Sequence, residues 1–382
     1  MSATAVVRID YPGTPATTFG LSPATRLDRQ LARLKPAASR VLMVASDAIV
    51  DTPALAHLLA GEPLLVTDAK GRPLLGWVDP AMVDGLRDSF ASGTLPAAPP
   101  CPVVVAGSFD FASGTLKKRE KFLAYGRSDD RSKAPEDALY FASFKGVTDL
   151  VTKYAWPHPA LLVVRACVAL GITPNMVTTL STLLSIAAIP LLMTHWFAAG
   201  LACAWGMTFL DTVDGKLARV TVSYSKFGNY FDHIPDIVFP PIWWWAFMWG
   251  AMIDEPPAGD ARLWICFGLI MASYVVGRLC EGAFELRNGF GPFVWRPFDA
   301  RFRLILARRN PNLLILTVAL ALGMITEGYR VLVAWCVICA VIQLARLGQS
   351  ELARRRGPLV SFLQGDGSMA PSNPLSEIFA RR

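Results

Sequence analysis

Charge is scarce in this 382-residue sequence: 18% of its residues are Asp, Glu, Lys or Arg, against about 25% in soluble domains. The shortage is local. Met176 to Leu210 contains none of the four, and its one histidine is His195. A run of that length exceeds one crossing of about 20 residues and suits two helices turning near Thr194–Gly200. A single compact soluble domain is therefore excluded, as are collagen and a coiled coil. Met1–Gly20 lacks a continuous apolar core and carries Arg8 and Asp10, so no secretory signal peptide is expected. The cysteines number seven, an odd count, and a reducing, cytoplasmic setting needs no disulfides. Cys336 and Cys339 have a metal-like spacing without a second ligand pair, which reads as two small buried residues.

Apolar residues make up 53% of the chain. Beyond Met176–Leu210 they gather in Phe239–Ile253, Leu263–Gly277, Leu313–Ile325 and Val331–Leu344. Counted together, these windows predict six crossings. Lys216, Arg219 and Lys226 fall between crossings two and three. Arg278, Arg287, Arg296, Arg301, Arg303, Arg308 and Arg309 fall between four and five, and Arg346 and Arg354–Arg356 follow the sixth. The opposite connections are poor in cations. The Lys/Arg bias marks the cytoplasmic side, so both termini are expected there. The net charge is +7, and no nucleic-acid partner is expected. Trp295–Arg309 reads as an interfacial helix whose Arg side chains meet lipid phosphates.

The fold expectation is an α-helical integral membrane protein of six transmembrane helices, preceded by a small cytoplasmic α/β domain. Its divisions are 1–140, a transmembrane domain over 141–350, and a flexible tail over 351–382. In the N-terminal part, Val41–Ser46, Leu64–Thr67 and Val103–Gly107 read as strands, and Thr52–Ala60 and Pro80–Phe90 as helices, which suggests a parallel sheet. Val41–Gly61 is similar to part of a sugar-phosphate nucleotidyltransferase domain, but residues 1–60 lack the Gly-rich phosphate loop with which such domains open. A structural, docking or regulatory role is expected there, with Asp47 in a turn or helix cap. Asp129–Glu136 reads as a polar linker.

The densest signal runs from Asp211 to Asp236 (DTVDGKLARVTVSYSKFGNYFDHIPD). Four carboxylates lie near the ends of two predicted crossings, where each would cost about 2.5–3.5 kcal/mol at mid-helix. A bound cation is the simplest compensation. Asp211, Asp214, Gly215, Ala218 and Arg219 share one helical face, and Gly228, Asp232 and Asp236 are spaced by four on the next helix. Ligation by oxygen alone favours Mg²⁺ or Mn²⁺, which usually bind carboxylates together with substrate phosphates. From the carboxylates alone an ion-coupled transporter remains possible, although no second copy of the motif marks the repeats that transporters show.

The order D-x2-D-G-x2-A-R, eight residues, then G-x3-D-x3-D resembles the signature of the CDP-alcohol phosphotransferases (CDP-alcohol phosphatidyltransferases), with every signature position present. Thr173–Thr178 is similar to the stretch that opens that family's first crossing. The resemblance covers roughly residues 150–346. It implies a six-helix homodimer with a cytoplasm-facing site, in which Asp211, Asp214 and Asp232 ligate the metal and Asp236 is the general base, touching a second metal if one is held. It implies that Gly215, Ala218 and Gly228 make room for the nucleotide and Arg219 neutralises phosphate, with Asn175 and Thr178 near the nucleotide. The reaction implied is phospholipid synthesis: an acceptor hydroxyl attacks a CDP-alcohol, with CDP-diacylglycerol first in line, and CMP leaves. The alternative within the class moves a CDP-activated head group to diacylglycerol or ceramide. Arg278 or Arg287 would meet the acceptor's phosphate, against a plainer reading as local ion pairs with Glu281 and Glu285. His233 and Trp243–Trp245 are assigned to packing.

Overall fold

The computed structural model describes residues 5–10, 17–35, 39–126, 134–223, 226–251 and 261–364, without the side chains of residue 134 and of most residues from 226 to 236. The chain divides into two compact units. The first is Met1–Phe144 with Ala218–Ser223, and the second is Lys145–Leu217 with Tyr224–Arg381.

The first unit runs β1 (Ala5–Ile9), α1 (Pro23–Leu34), β2 (Val41–Ala45), β3 (Ile49–Val50), α2 (Thr52–Ala60), β4 (Leu64–Thr67), β5 (Pro73–Val78), α3 (Val83–Ser92), β6 (Val103–Val105), β7 (Asp110–Ser113), β8 (Lys118–Lys121), β9 (Ala124–Tyr125) and α4 (Ala134–Ala142). The main sheet has the order β1-β2-β5-β4-β6. β2 is buried along its whole length. Its alternation sends Leu42 and Val44 into a core with Leu55, Leu58 and Trp77, and Met43 into another with Leu86 and Phe90.

The expected parallel sheet is corrected to a mixed one. β1 and β2 are parallel, as are β4 and β6, but β5 runs antiparallel to both β2 and β4. The cause is the short link after β4, which cannot hold a crossover. Asp68 Oδ1 accepts the backbone N–H of Lys70 at 2.8 Å and of Arg72 at 2.9 Å, and Gly71 takes φ +77°. β6 is an edge strand with Val103 and Val105 exposed, not the buried strand expected. Asp47 lies in the turn after β2, and the cap of α2 is Asp51, which accepts from Thr52 N.

The second unit is helical: α5 (Leu150–Tyr154), α6 (Pro157–Ala169), α7 (Pro174–Met193), α8 (Phe197–Val220), α9 (Lys226–Ala251), α10 (Ala261–Asn288), α11 (Pro297–Ile305), α12 (Arg309–Ala321) and α13 (Ile325–Arg354). Among the described residues, helices run through every apolar window named above. Among the described residues α7, α10 and α13 are long and apolar enough to cross a membrane, and α11 with α12, bent by 42°, forms a fourth candidate. Trp243 and Trp244 are buried, and Trp243 Nε1 donates to Ser185 O at 3.1 Å, so this pair packs α9 onto α7. Cys336 and Cys339 are buried, as expected. The tail begins later than expected: α13 runs to Arg354, and Ser361 Oγ and Phe362 N both donate to Val294 O, with Leu363 buried beside it. Most of the predicted linker before Glu136, residues 365–382, and the side chain of His233 lie outside the described residues.

Candidate active site

The site is built on the C-terminal half of α8 and on its neighbours. Thr173 caps α7, accepting from Met176 N, and Pro174 occupies the first turn, where a missing N–H costs nothing. One turn further, Thr178 Oγ1 lies 2.6 Å from Asp214 Oδ2 and 3.0 Å from Pro174 O. Its single proton serves the nearer, charged oxygen. Thr178 and Asp214 are both buried, at 4% and 2% exposure. Such a charge-assisted bond is among the stronger kind.

Asp211 stands one turn before Asp214. Its Oδ2 accepts from Arg309 Nη2 at 2.8 Å, and both side chains keep 20% of their exposure. Arg309 is fixed further by Nη1 against Met207 Sδ at 3.4 Å. α12 is held next to α8 by Trp205 Nε1 donating to Thr317 Oγ1 at 2.9 Å. Its first turn is anchored by Asn310, whose Nδ2 donates to Asp149 Oδ1 at 2.9 Å. The cationic partner of the first motif carboxylate is thus supplied from 98 residues away.

Several expectations change here. In place of the lipid phosphates expected, Arg309 binds Asp211 and Arg308 binds Glu281. Arg287 pairs with Glu351 of α13 at 2.6 Å rather than with Glu285, while Arg278 stays 3.8 Å from Glu281, the local pair expected. Lys216, counted among the loop cations, is 4% exposed. Of the weaker candidates, Thr178 joins the site, whereas Asn175 is exposed and its carbonyl accepts from Thr179 Oγ1. Gly215 follows Asp214 on α8 and is half-buried, as is Gly228 on α9. Asp232 and Asp236 occupy positions on α9, and their side chains lie outside the described residues. Among the described residues no group of three acidic, His or Cys side chains forms a metal cluster. The described donor set is two carboxylates one turn apart, one of them buried with a hydroxyl bonded to it. Its all-oxygen chemistry fits a hard divalent cation.

Residues 171–283 match the family model described as CDP-alcohol phosphatidyltransferase. Among curated proteins, the archaetidylinositol phosphate synthase of Pyrococcus horikoshii is 38% identical over 73 residues, which is 19% of this chain and 38% of that protein. The phosphatidylinositol phosphate synthase of Mycobacteroides abscessus is 36% identical over 89 residues, covering 21% of this chain and 40% of that one. The chain thus spans about two fifths of the length of the curated relatives it matches. A solved phosphatidylinositol phosphate synthase of Mycobacterium tuberculosis aligns at 22% identity and a TM-score of 0.38, over 50% of this chain and 94% of that one.

Proposed function

We propose, from the premise that residues 171–283 place this chain in the CDP-alcohol phosphatidyltransferase family, that it transfers a phosphoryl-alcohol group from a CDP-alcohol to an acceptor hydroxyl and releases CMP. The observation that supports this most directly is the face of α8 inside the matched segment. There Thr178 binds buried Asp214 and Arg309 binds Asp211, so two costly carboxylates are held in place one turn apart.

Asp211, Asp214 and Asp232, with Asp236 beside them, would hold Mg²⁺ or Mn²⁺. Such an ion, when bound, neutralises diphosphate charge and polarises phosphoryl oxygens. The chain's own residues do the rest. Thr178 fixes the rotamer of Asp214, and Arg309 does the same for Asp211. Gly215, Ala218 and Gly228 leave room for the nucleotide beside the backbone, with Asn175 near the entrance. Arg219 meets phosphate charge. Asp236 accepts the proton of the acceptor hydroxyl as its oxygen attacks the β-phosphorus. The bond from that phosphorus to the CMP oxygen breaks, and CMP leaves with the electron pair. General-base assistance of this kind contributes about 10²–10⁴-fold.

CDP-diacylglycerol is the proposed donor. Both curated relatives are named for inositol phosphate lipids, which makes inositol phosphate the first acceptor to test, with Arg278 or Arg287 meeting its phosphate. The proposed setting is the inner or plasma membrane, with six crossings, a homodimer and both termini cytoplasmic. The loop cations support that orientation. The deciding experiment measures CMP release by the purified full chain from CDP-diacylglycerol with a panel of alcohols, and from CDP-alcohols with diacylglycerol. Release that needs a divalent ion and is lost in Asp236→Asn is the expected result. Absence of CMP with every donor would refute the reading.

A further inference from the structure

The C-terminus of α8 carries two motif residues, and the way it ends is unusual. Like any helix end, it has four carbonyls without partners inside the helix. Ser223 N donates to Ala218 O at 3.0 Å and Val222 N to Arg219 O at 3.3 Å. This is a Schellman cap, and the residue that turns the chain sits in the left-handed region, where glycine is the usual occupant. Here it is Val222, at φ +49° and 6% exposure. A β-branched residue adopts that conformation only where its surroundings impose it.

The two remaining carbonyls show what imposes it. Arg26 Nη2 donates to Val220 O at 2.6 Å, and Arg29 Nη1 donates to Thr221 O at 2.8 Å. Both arginines lie on α1, three residues apart on one face. Arg26 is 3% exposed, and the same Nη2 also reaches Thr18 O at 3.1 Å. α1 is itself pinned by Gln30, whose Nε2 donates to Val50 O at 2.9 Å and Thr52 Oγ1 at 3.0 Å. All four terminal carbonyls are therefore satisfied, two within the cap and two by guanidinium groups placed where the helix dipole favours cations. Ala218–Ser223 accordingly belong to the N-terminal unit.

We propose that the N-terminal unit is a clasp on the end of α8, with Arg26 and Arg29 as positioning residues for the transfer reaction: they fix where Ala218 and Arg219 stop being helix. This rests on the transferase reading for its catalytic consequence and on the contacts alone for its structural one. It also gives a role to a unit whose sequence lacks the phosphate loop of an enzyme.

The test uses the full chain in detergent, with Arg26→Ala, Arg26→Lys, Arg29→Ala, and Arg87→Ala on exposed α3 as a control. Two quantities are read: the rate of tryptic cleavage after Arg219, and the kcat and donor KM of CMP release. Loss of one charged hydrogen bond should speed cleavage about 10-fold or more. It should lower kcat by a similar factor, with donor KM within about 2-fold, because misplacement of reacting groups costs turnover more than binding. Arg29 is exposed, so Arg29→Ala tests the clasp even if Arg26→Ala fails to fold. Arg26→Lys should recover part of both losses, and Arg87→Ala should match the wild type. Arg29→Ala and Arg26→Lys indistinguishable from the wild type in cleavage and kcat would overturn the clasp. A wild-type chain that releases no CMP would overturn the transferase reading instead, and the cleavage rates would still decide the clasp.

Discussion

Thr178 gives the sharpest handle on the site because its hydroxyl has one proton and a buried carboxylate 2.6 Å away. A hydrogen bond to a charged group is worth about 1.5–3 kcal/mol. Thr178→Val keeps the shape and removes the donor, and it should lower CMP-release turnover about 10-fold or more, while Thr178→Ser stays near wild type. Equal rates for Val and Ser would remove Thr178 from the site. In the N-terminal unit, Glu120 on β8 is buried, and desolvation pushes its carboxyl from 4.5 up to about 7, with Asp51 adding to the rise and Lys118 and Ser113 opposing it. An acid whose pKa rises on folding favours the fold while protonated. Its contribution is fullest below pH 4.5 and is lost as pH climbs through 7. Glu120→Gln should therefore be more stable than the wild type at pH 8, by about 3 kcal/mol, with the difference shrinking at pH 5. A constant difference across that range would show that Glu120 does not titrate there. Neither residue was equally visible beforehand. The motif context pointed to Thr178, but nothing local announces that Glu120 is buried or that Arg309 crosses 98 positions to reach Asp211. An arginine in an Arg-rich stretch looks like a lipid contact until the fold supplies its acid.

At the scale of elements, helix contacts in the second unit are set by glycines that admit a neighbouring backbone. A Cβ on Gly250 of α9 would stand 2.0 Å from Leu192 O of α7. That atom cannot rotate away, so Gly250→Ala should cost about 3 kcal/mol, the upper range for overpacking. Gly268 on α10 has nothing within 4 Å of the same position. Gly268→Ala should instead gain up to about 1 kcal/mol from helix propensity. Thermal midpoints of the two variants in the same detergent should move in opposite directions, and a common shift would contradict this packing. The helices themselves were legible because an apolar run of that length permits little else in a membrane. Strand positions were legible too: Leu64–Thr67 and Thr52–Ala60 fall where composition put them. Strand direction was not, since it depends on the five-residue turn Asp68–Arg72 and on a sheet order that no local pattern encodes. The docking of Ser361–Leu363 was hidden for a similar reason, because a Pro- and Gly-containing segment reads as loose until its partner, Val294, is in place.

For the whole molecule, orientation follows from where charge is tolerated. Arg346, Arg354, Arg355 and Arg356 lie at or beyond the end of the last apolar stretch, and the turn between α7 and α8, Thr194–Trp196, carries no Lys or Arg. If Lys/Arg asymmetry sets topology, the N-terminal unit faces the cytoplasm and that turn faces the opposite side. Single cysteines report this in membranes: Arg87→Cys on the exposed face of α3 and Thr194→Cys at the exposed turn, each placed in a chain with its seven native cysteines replaced. A thiol reagent that cannot cross the bilayer should label Arg87→Cys in inverted vesicles only, and Thr194→Cys in right-side-out vesicles only. Labelling of both in inverted vesicles only would place an even number of crossings between residues 87 and 194. It would then remove the α8 carboxylates from the compartment where a soluble acceptor and released CMP are available, and the transferase reading would need a different entry route for its water-soluble substrate.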